Sequence, residues 1–129
     1  MEFNDITREI ISSAIEVHKI LGPGLLEKVY EKALLFELEQ RGFKVDSQVN
    51  IPIIYKDVNL SINEEKPLRL DLIVNDSVII ELKSVEEMKP LYGKQLLTYL
   101  KLMNKRIGLL INFNVPRLVD GVERVINGY

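Results

Sequence analysis

Three residues in the stretch Arg69–Lys83 (RLDLIVNDSVIIELK) have types and spacing that could do chemistry: Asp71, Glu81 and Lys83. They interrupt two otherwise apolar runs joined by Asn75, Asp76 and Ser77, all good turn formers. Side chains alternate faces along a strand, so Glu81 and Lys83 project the same way. If Asn75, Asp76 and Ser77 form a three-residue hairpin loop, Val74 faces Val78 and Asp71 falls opposite Glu81; a two-residue loop would send the two carboxylates to opposite faces. An odd-length connection is therefore expected. One face then carries Arg69, Asp71, Ile73, Ile79, Glu81 and Lys83. The other carries Leu70, Leu72, Val74, Val78, Ile80 and Leu82, all apolar and hence core.

Two carboxylates side by side repel and lose hydration, which raises at least one pKa unless a cation sits between them. A divalent metal is the simplest resident, because hard cations such as magnesium take carboxylate oxygens together with water and substrate phosphate. Lys83 would then meet an anionic substrate or a water on that metal. The plainer alternative is an edge hairpin with solvated charges. It is the less favoured reading, since a strand pair covered on both faces should carry few charges.

The elements that must hold this hairpin read as follows. Apolar residues at Ile6, Ile10, Ile11, Ala14, Ile15, Val17 and Leu21 have helical spacing, with Asn4 or Asp5 as the starting cap. Gly22-Pro23-Gly24 stops that helix. A second helix spans about 25–41, with an apolar stripe of Leu26, Val29, Tyr30, Ala33, Leu34, Phe36 and Leu38 and with Gly42 ending it. Residues 43–55 read as a strand bent at Pro52, residues 56–62 as a second strand, and residues 63–66 as a polar loop closed by Pro67. After the hairpin, Pro90 opens a third helix that runs to about Met103. Residues 106–112 (RIGLLIN) form a short strand buried on both faces. A helical crossover between Glu81 and Ile107 calls for parallel pairing. The tail reads as extended around Asp120-Gly121. The order is that of an α/β protein, a mixed sheet flanked by helices, and 129 residues suit one domain over 1–129.

Two pairs on the helices add polar groups. Glu27 and Tyr30, in Gly24-x-x-Glu27-x-x-Tyr30, are three apart and share a helix face, and with Leu26 and Tyr30 in the stripe Glu27 should lie beside the core. Taken alone, Glu27 is better explained by the helix dipole. Gln95 and Tyr99 are four apart, and their polar tips can reach a phosphate or a metal-bound water. Taken alone, that pair is better explained by an amphipathic helix with a boundary tyrosine.

Composition bounds the rest. Cysteine is absent, which excludes disulfides, zinc–thiolate sites and cysteine nucleophiles. His18 is the single histidine, so a multi-histidine metal site within one chain is excluded. No apolar run approaches the roughly 20 residues that a bilayer requires, and the acidic N-terminus is no signal peptide; a cytoplasmic protein without membrane contact is the default expectation. The net charge of -2 argues against coating nucleic acid by bulk charge. One segment departs from this: residues 89–106 hold Lys89, Lys94, Lys101, Lys105 and Arg106 and no acid.

Taken together, the acid at 71, the Glu81-Leu82-Lys83 triplet and the flanking apolar runs resemble the PD-(D/E)XK nuclease superfamily. Leu70 stands where that pattern has proline. The order of glutamate helix, D…E-x-K hairpin and Q-x-x-x-Y helix is similar to the RecB-type exonuclease branch. The segment from Glu16-Val17-His18 through Gly22-Pro23-Gly24-Leu25-Leu26-Glu27 to Tyr30, with Asn112-Phe113 and Val115-Pro116, resembles the small GxxExxY family. The resemblance implies a restriction-endonuclease-like mixed β-sheet and a Mg2+- or Mn2+-dependent nuclease acting on DNA. It implies Glu27, Asp71, Glu81 and the Leu82 carbonyl as metal ligands, and Lys83 as the group that orients or deprotonates the attacking water. Gln95 and Tyr99 would position the phosphate or the lysine, and Tyr30 would pack beneath Glu27. His18 either faces the pocket or packs between helices. A catalytically silent nuclease-fold module is the alternative, RNA or a small phosphoester is not excluded as substrate, and a homo-oligomer would enlarge the footprint on DNA.

Overall fold

The computed structural model describes residues 2–61 and 67–128. Its elements run α1 (Phe3–Leu21), α2 (Glu27–Gln40), β1 (Val45–Asn50), β2 (Ile54–Tyr55), β3 (Val58–Asn59), β4 (Arg69–Val74), β5 (Val78–Lys83), α3 (Pro90–Met103), β6 (Ile107–Asn112), a 3-10 turn at Leu118–Gly121, and β7 (Val122–Ile126). The main sheet has five strands in the order β1-β4-β5-β6-β7, and β2 and β3 form a separate two-stranded hairpin. Only β5 and β6 are parallel, joined by the α3 crossover as their apolar character requires. Every residue of β6 is buried.

Apolar periodicity explains the layers. Ile6, Ile10, Ala14 and Val17 of α1 and Tyr30, Leu34 and Leu38 of α2 cover one face of the sheet, against Leu72, Val74, Val78, Ile80, Leu82, Leu109 and Ile111. Leu96, Tyr99 and Leu100 of α3 cover the other, against Ile73, Ile79 and Leu110. Helix α3 comes close at Gly108, where a Cβ would stand 3.0 Å from Leu96 and 3.1 Å from the Ile79 carbonyl. A larger residue would force the Leu96 side chain and the neighbouring strand to give by a few tenths of an ångström.

The hairpin has the odd length expected. Val74 pairs with Val78, Ile73 with Ile79 and Leu72 with Ile80, leaving Asn75, Asp76 and Ser77 as the loop. Asn75 and Asp76 both take the left-handed conformation, each at φ 52°, which short polar side chains tolerate best. Asn75 also ties the turn to the start of β1, accepting from the Lys44 amide through its side chain and donating its own amide to the Lys44 carbonyl.

Six details differ from the sequence reading. Helix α1 begins a turn earlier, with Glu2 as N-cap and no side-chain cap, so Asn4 and Asp5 lie inside its first turn. The stripe on α2 is narrower: Tyr30, Leu34 and Leu38 are buried, whereas Leu26, Val29 and Phe36 are exposed. Residues 43–55 do not form one strand, because the chain leaves the main sheet after Asn50, as it nears Pro52, and turns into the β2–β3 hairpin. The strand expected over 56–62 is reduced to Val58–Asn59; Ile62 and the polar loop at 63–66 lie outside the described residues. Leu70 packs with the α3-side cluster and not with Leu72 and Val74. The tail is extended as expected, pairing antiparallel with β6, but a 3-10 turn precedes it.

The fourth and fifth strands lose regularity where the acids stand. The β4–β5 ladder ends at Leu72–Ile80, one step before Asp71 and Glu81. On the other side of β4, strand β1 keeps a constant register on both sides of Gln48, yet Gln48 itself does not pair. Its φ is 51°. Val45 packs against the first cluster and Val49 against the second. In a regular strand two residues four apart would share a face, so the left-handed residue between them turns the strand over.

Candidate active site

Where β4 and β5 separate, the two carboxylates replace the missing ladder bonds. Glu81 Oε1 accepts the Asp71 main-chain N–H at 3.0 Å, and Asp71 Oδ2 accepts the Leu82 N–H at 2.8 Å. Each acid thus bonds the opposite strand. This reciprocal arrangement follows from the three-residue loop, which alone places positions 71 and 81 across from one another.

Glu81 is 9% exposed. Burial pushes its carboxyl up from 4.5 to about 8, and the Asp71 charge pushes the same way, while the Asp71 N–H and the Lys83 charge oppose the shift. Near neutral pH Glu81 therefore keeps a proton that an exposed glutamate would release. Tyr99 of α3 borders the same pair. Its phenol is raised by burial first and then by the charges of Glu81 and Asp71, against a hydrogen bond from Gln95. The Q-x-x-x-Y face of α3 thus meets the hairpin's charged end.

Lys83, two residues beyond Glu81, holds its ammonium 4.5 Å from the centroid of the Tyr92 ring. This cation–π contact fixes the direction of the amine. Ser84 follows and donates from Oγ to the Leu25 carbonyl, joining the end of β5 to the loop before α2. Beyond it, Asn112 at the end of β6 accepts from the Val85 and Asn114 amides and donates to the Val85 carbonyl. That clamp sets the exit of the chain from β5.

Glu27 stands exposed on the first turn of α2. The expectation that it lies beside the core fails, because Leu26 before it is 77% exposed. The glutamate of α2 that reaches the hairpin is Glu31, one turn on. It accepts from Gln48 Nε2 at 2.8 Å, and the same nitrogen donates to Asp71 Oδ1 at 3.4 Å. Burial raises the Glu31 carboxyl, the Gln48 bond lowers it and Asp71 raises it again. Among the described residues no three Asp, Glu or His side chains converge as a ready-made metal cluster.

Tyr30, the last residue of the motif, faces the core. It is fully buried, stacked on Phe113 with ring centroids 4.4 Å apart. Its hydroxyl donates to the Gly22 carbonyl at 2.6 Å and accepts the Leu25 amide at 3.0 Å. It therefore shapes the Gly22–Leu25 turn that delivers α2. His18 is a packing residue: its Nε2–H donates to the Val115 carbonyl at 2.7 Å, beside Phe113.

A family model described as the PD-(D/E)XK nuclease superfamily matches residues 4–125. The chain belongs to that superfamily. Its mixed sheet flanked by three helices is the α/β, restriction-endonuclease-like fold expected of a PD-(D/E)XK protein. No curated protein and no solved structure shows significant similarity to the chain. Members of the PD-(D/E)XK superfamily are typically nucleases that use divalent metal ions. The donor set here suits such an ion: two carboxylates and neighbouring carbonyls are all hard oxygen, and a like-charged pair that keeps a proton is one a cation would relieve. No helix among the described residues is long and apolar enough to cross a membrane.

Gln48, Glu31 and Tyr92 escaped the sequence reading. Tyr92, Gln95 and Tyr99 follow i, i+3, i+7 spacing, so one helix face could have been extended to include Tyr92. Glu31 is four residues beyond Glu27 and could have been weighed with it. Nothing in the local sequence marks Gln48.

Proposed function

We propose that this chain is a Mg2+- or Mn2+-dependent nuclease that hydrolyses DNA phosphodiester bonds, acting as an exonuclease. The observation that carries the reading is the Asp71–Glu81 pair, crossed over the end of the β4–β5 ladder with Lys83 on the same strand. Asp71, Glu81 and the Leu82 carbonyl would hold the metal, with Glu27 as a further carboxylate at the rim. A divalent ion so held supplies an acidified water and neutralises phosphoryl oxygens. The chain's own residues do the rest by position and charge. Lys83, aimed by Tyr92, orients the attacking water and takes its proton or steadies the phosphorane. Tyr99 and Gln95 offer hydroxyl and amide groups to the phosphate. Lys94 and Lys101 lie exposed on the helix that carries Gln95 and Tyr99 and provide charge for the DNA backbone. A second copy of the chain would lengthen that footprint.

The test is cleavage of linear and closed circular DNA with and without Mg2+ or Mn2+. The parent should degrade linear DNA only when the metal is present and leave closed circles intact. Asp71→Asn and Lys83→Ala should each lose at least about 10²-fold in rate while unfolding at the parent's temperature. Variants that cut as well as the parent would refute the assignment, and nicked circles would convert it to an endonuclease. A rival reading, a nuclease-fold module without turnover, gains from the exposed position of Glu27 and the lack of three converging acids among the described residues. It predicts metal and DNA binding with no product.

A further inference from the structure

Gln48 combines two features that rarely coincide by accident. It is a non-glycine residue at φ 51° inside a strand, where a β-conformation would be cheaper. Its side-chain nitrogen also makes two bonds, to Glu31 Oε1 at 2.8 Å and to Asp71 Oδ1 at 3.4 Å. The two features depend on one another. Gln48 stands opposite Asp71 in the β1–β4 register, and the left-handed backbone turns β1 over at that step. Glu31, from α2, takes the shorter of the two bonds and so pins the amide.

Asp71 is then held at both oxygens, with Oδ2 on the Leu82 N–H and Oδ1 on the Gln48 amide. A carboxylate fixed at one oxygen can still swing about the Cβ–Cγ bond. Fixed at both, it presents one plane. We infer that Gln48 is a positioning residue: Glu31 orients its amide, and the amide orients the Asp71 carboxylate toward the cation and substrate. The inference rests on the nuclease reading of the same site and adds to it a relay that begins on helix α2. Removing groups that orient a ligating carboxylate typically costs about 10–100-fold in metal affinity or activity.

Gln48→Gly separates positioning from folding, because glycine accepts φ 51° without strain while the amide is lost with the rest of the side chain. The purified chain would be assayed in three ways: Mn2+ affinity by calorimetry, kcat and KM on linear DNA, and thermal unfolding. Gln48→Gly should weaken Mn2+ binding and lower kcat by about tenfold or more, with KM and unfolding temperature close to the parent's. Glu31→Ala should do the same, and the double variant should be no worse than either single one, because both cut one relay. Glu31→Gln, whose side-chain carbonyl still accepts from Gln48, should fall between Glu31→Ala and the parent. Parent-like Mn2+ affinity and kcat in Gln48→Gly overturn the inference while leaving the nuclease reading intact, and so do losses that add in the double variant. A parent that binds no Mn2+ and cuts nothing overturns both.

Discussion

Replacing Glu81 by glutamine should change how stability responds to pH more than it changes stability itself. The native carboxyl titrates at about 8, against 4.5 for an unperturbed glutamate, chiefly because it is buried and secondarily because Asp71 adds its charge. Between those two values the folded chain keeps a proton that the unfolded chain has released. The folded state binds more protons, so this group's contribution is fully present below about pH 4.5 and is lost as pH rises through about 8. At 1.36 kcal/mol per pH unit the full loss is on the order of 4–5 kcal/mol. Relaxation and water penetration around a buried carboxylate should make the measured loss smaller, about 2–4 kcal/mol. Against a total of about 5–15 kcal/mol for an ordinary domain, that is easily read. Glu81→Gln keeps a side-chain oxygen to accept the Asp71 N–H and has no proton to lose. Urea unfolding in EDTA from about pH 5 to about pH 9 should show the variant close to the parent at the acid end and more stable by about 2–4 kcal/mol at the alkaline end. A constant offset between the two proteins at every pH, or a parent that gains stability as pH rises, would refute the reasoning.

The remaining predictions concern the ion, the core and the nucleic acid. Mn2+ should displace the proton held by Glu81, so calorimetry near pH 7 in buffers of different ionisation heat should count about one proton released per ion bound; a count of zero contradicts the raised Glu81. Tyr30→Phe removes a hydroxyl that bonds Gly22 and Leu25 and should cost about 1–3 kcal/mol in urea unfolding, with a parent-like value showing that water replaces it. Lys94→Ala and Lys101→Ala should each weaken DNA binding measured with Ca2+ in place of Mg2+, and each should reduce the salt slope by about one; an unchanged slope would place the DNA elsewhere.

How much of this was legible in the sequence depends on what each residue answers to. The hairpin register was readable because alternation and turn chemistry are local: only a three-residue loop keeps Asp71 and Glu81 on one side of an apolar pair. The apolar core of the RIGLLIN strand and the helix before it pointed to the parallel crossover for the same reason. The face of Leu70 was not readable, since it depends on Gln48, a residue on another strand whose backbone turns over. On α2, Leu26, Val29 and Phe36 blurred the apolar stripe, so the motif identified the helix but not which of its acids points inward. Glu27 belongs to the recognisable motif and stands in solvent; Glu31 carries no motif and touches Gln48. His18 could be a ligand or a packing residue until the Val115 carbonyl was seen to receive its N–H. These failures share one cause: each outcome is set by a partner distant in sequence.

The main sheet is laid down in chain order: β4 docks beside β1 after the β2–β3 excursion, and each of β5, β6 and β7 docks beside the strand made before it. Synthesis therefore leaves β5 as an open edge until residues 107–112 have left the ribosome. A nascent chain that has emerged only as far as Lys83 already contains Asp71 and Glu81, yet it has neither β6 nor helix α3, whose Tyr99 borders the two acids. The raised Glu81 carboxyl thus belongs to the finished polypeptide, because its burial draws on elements made after the hairpin.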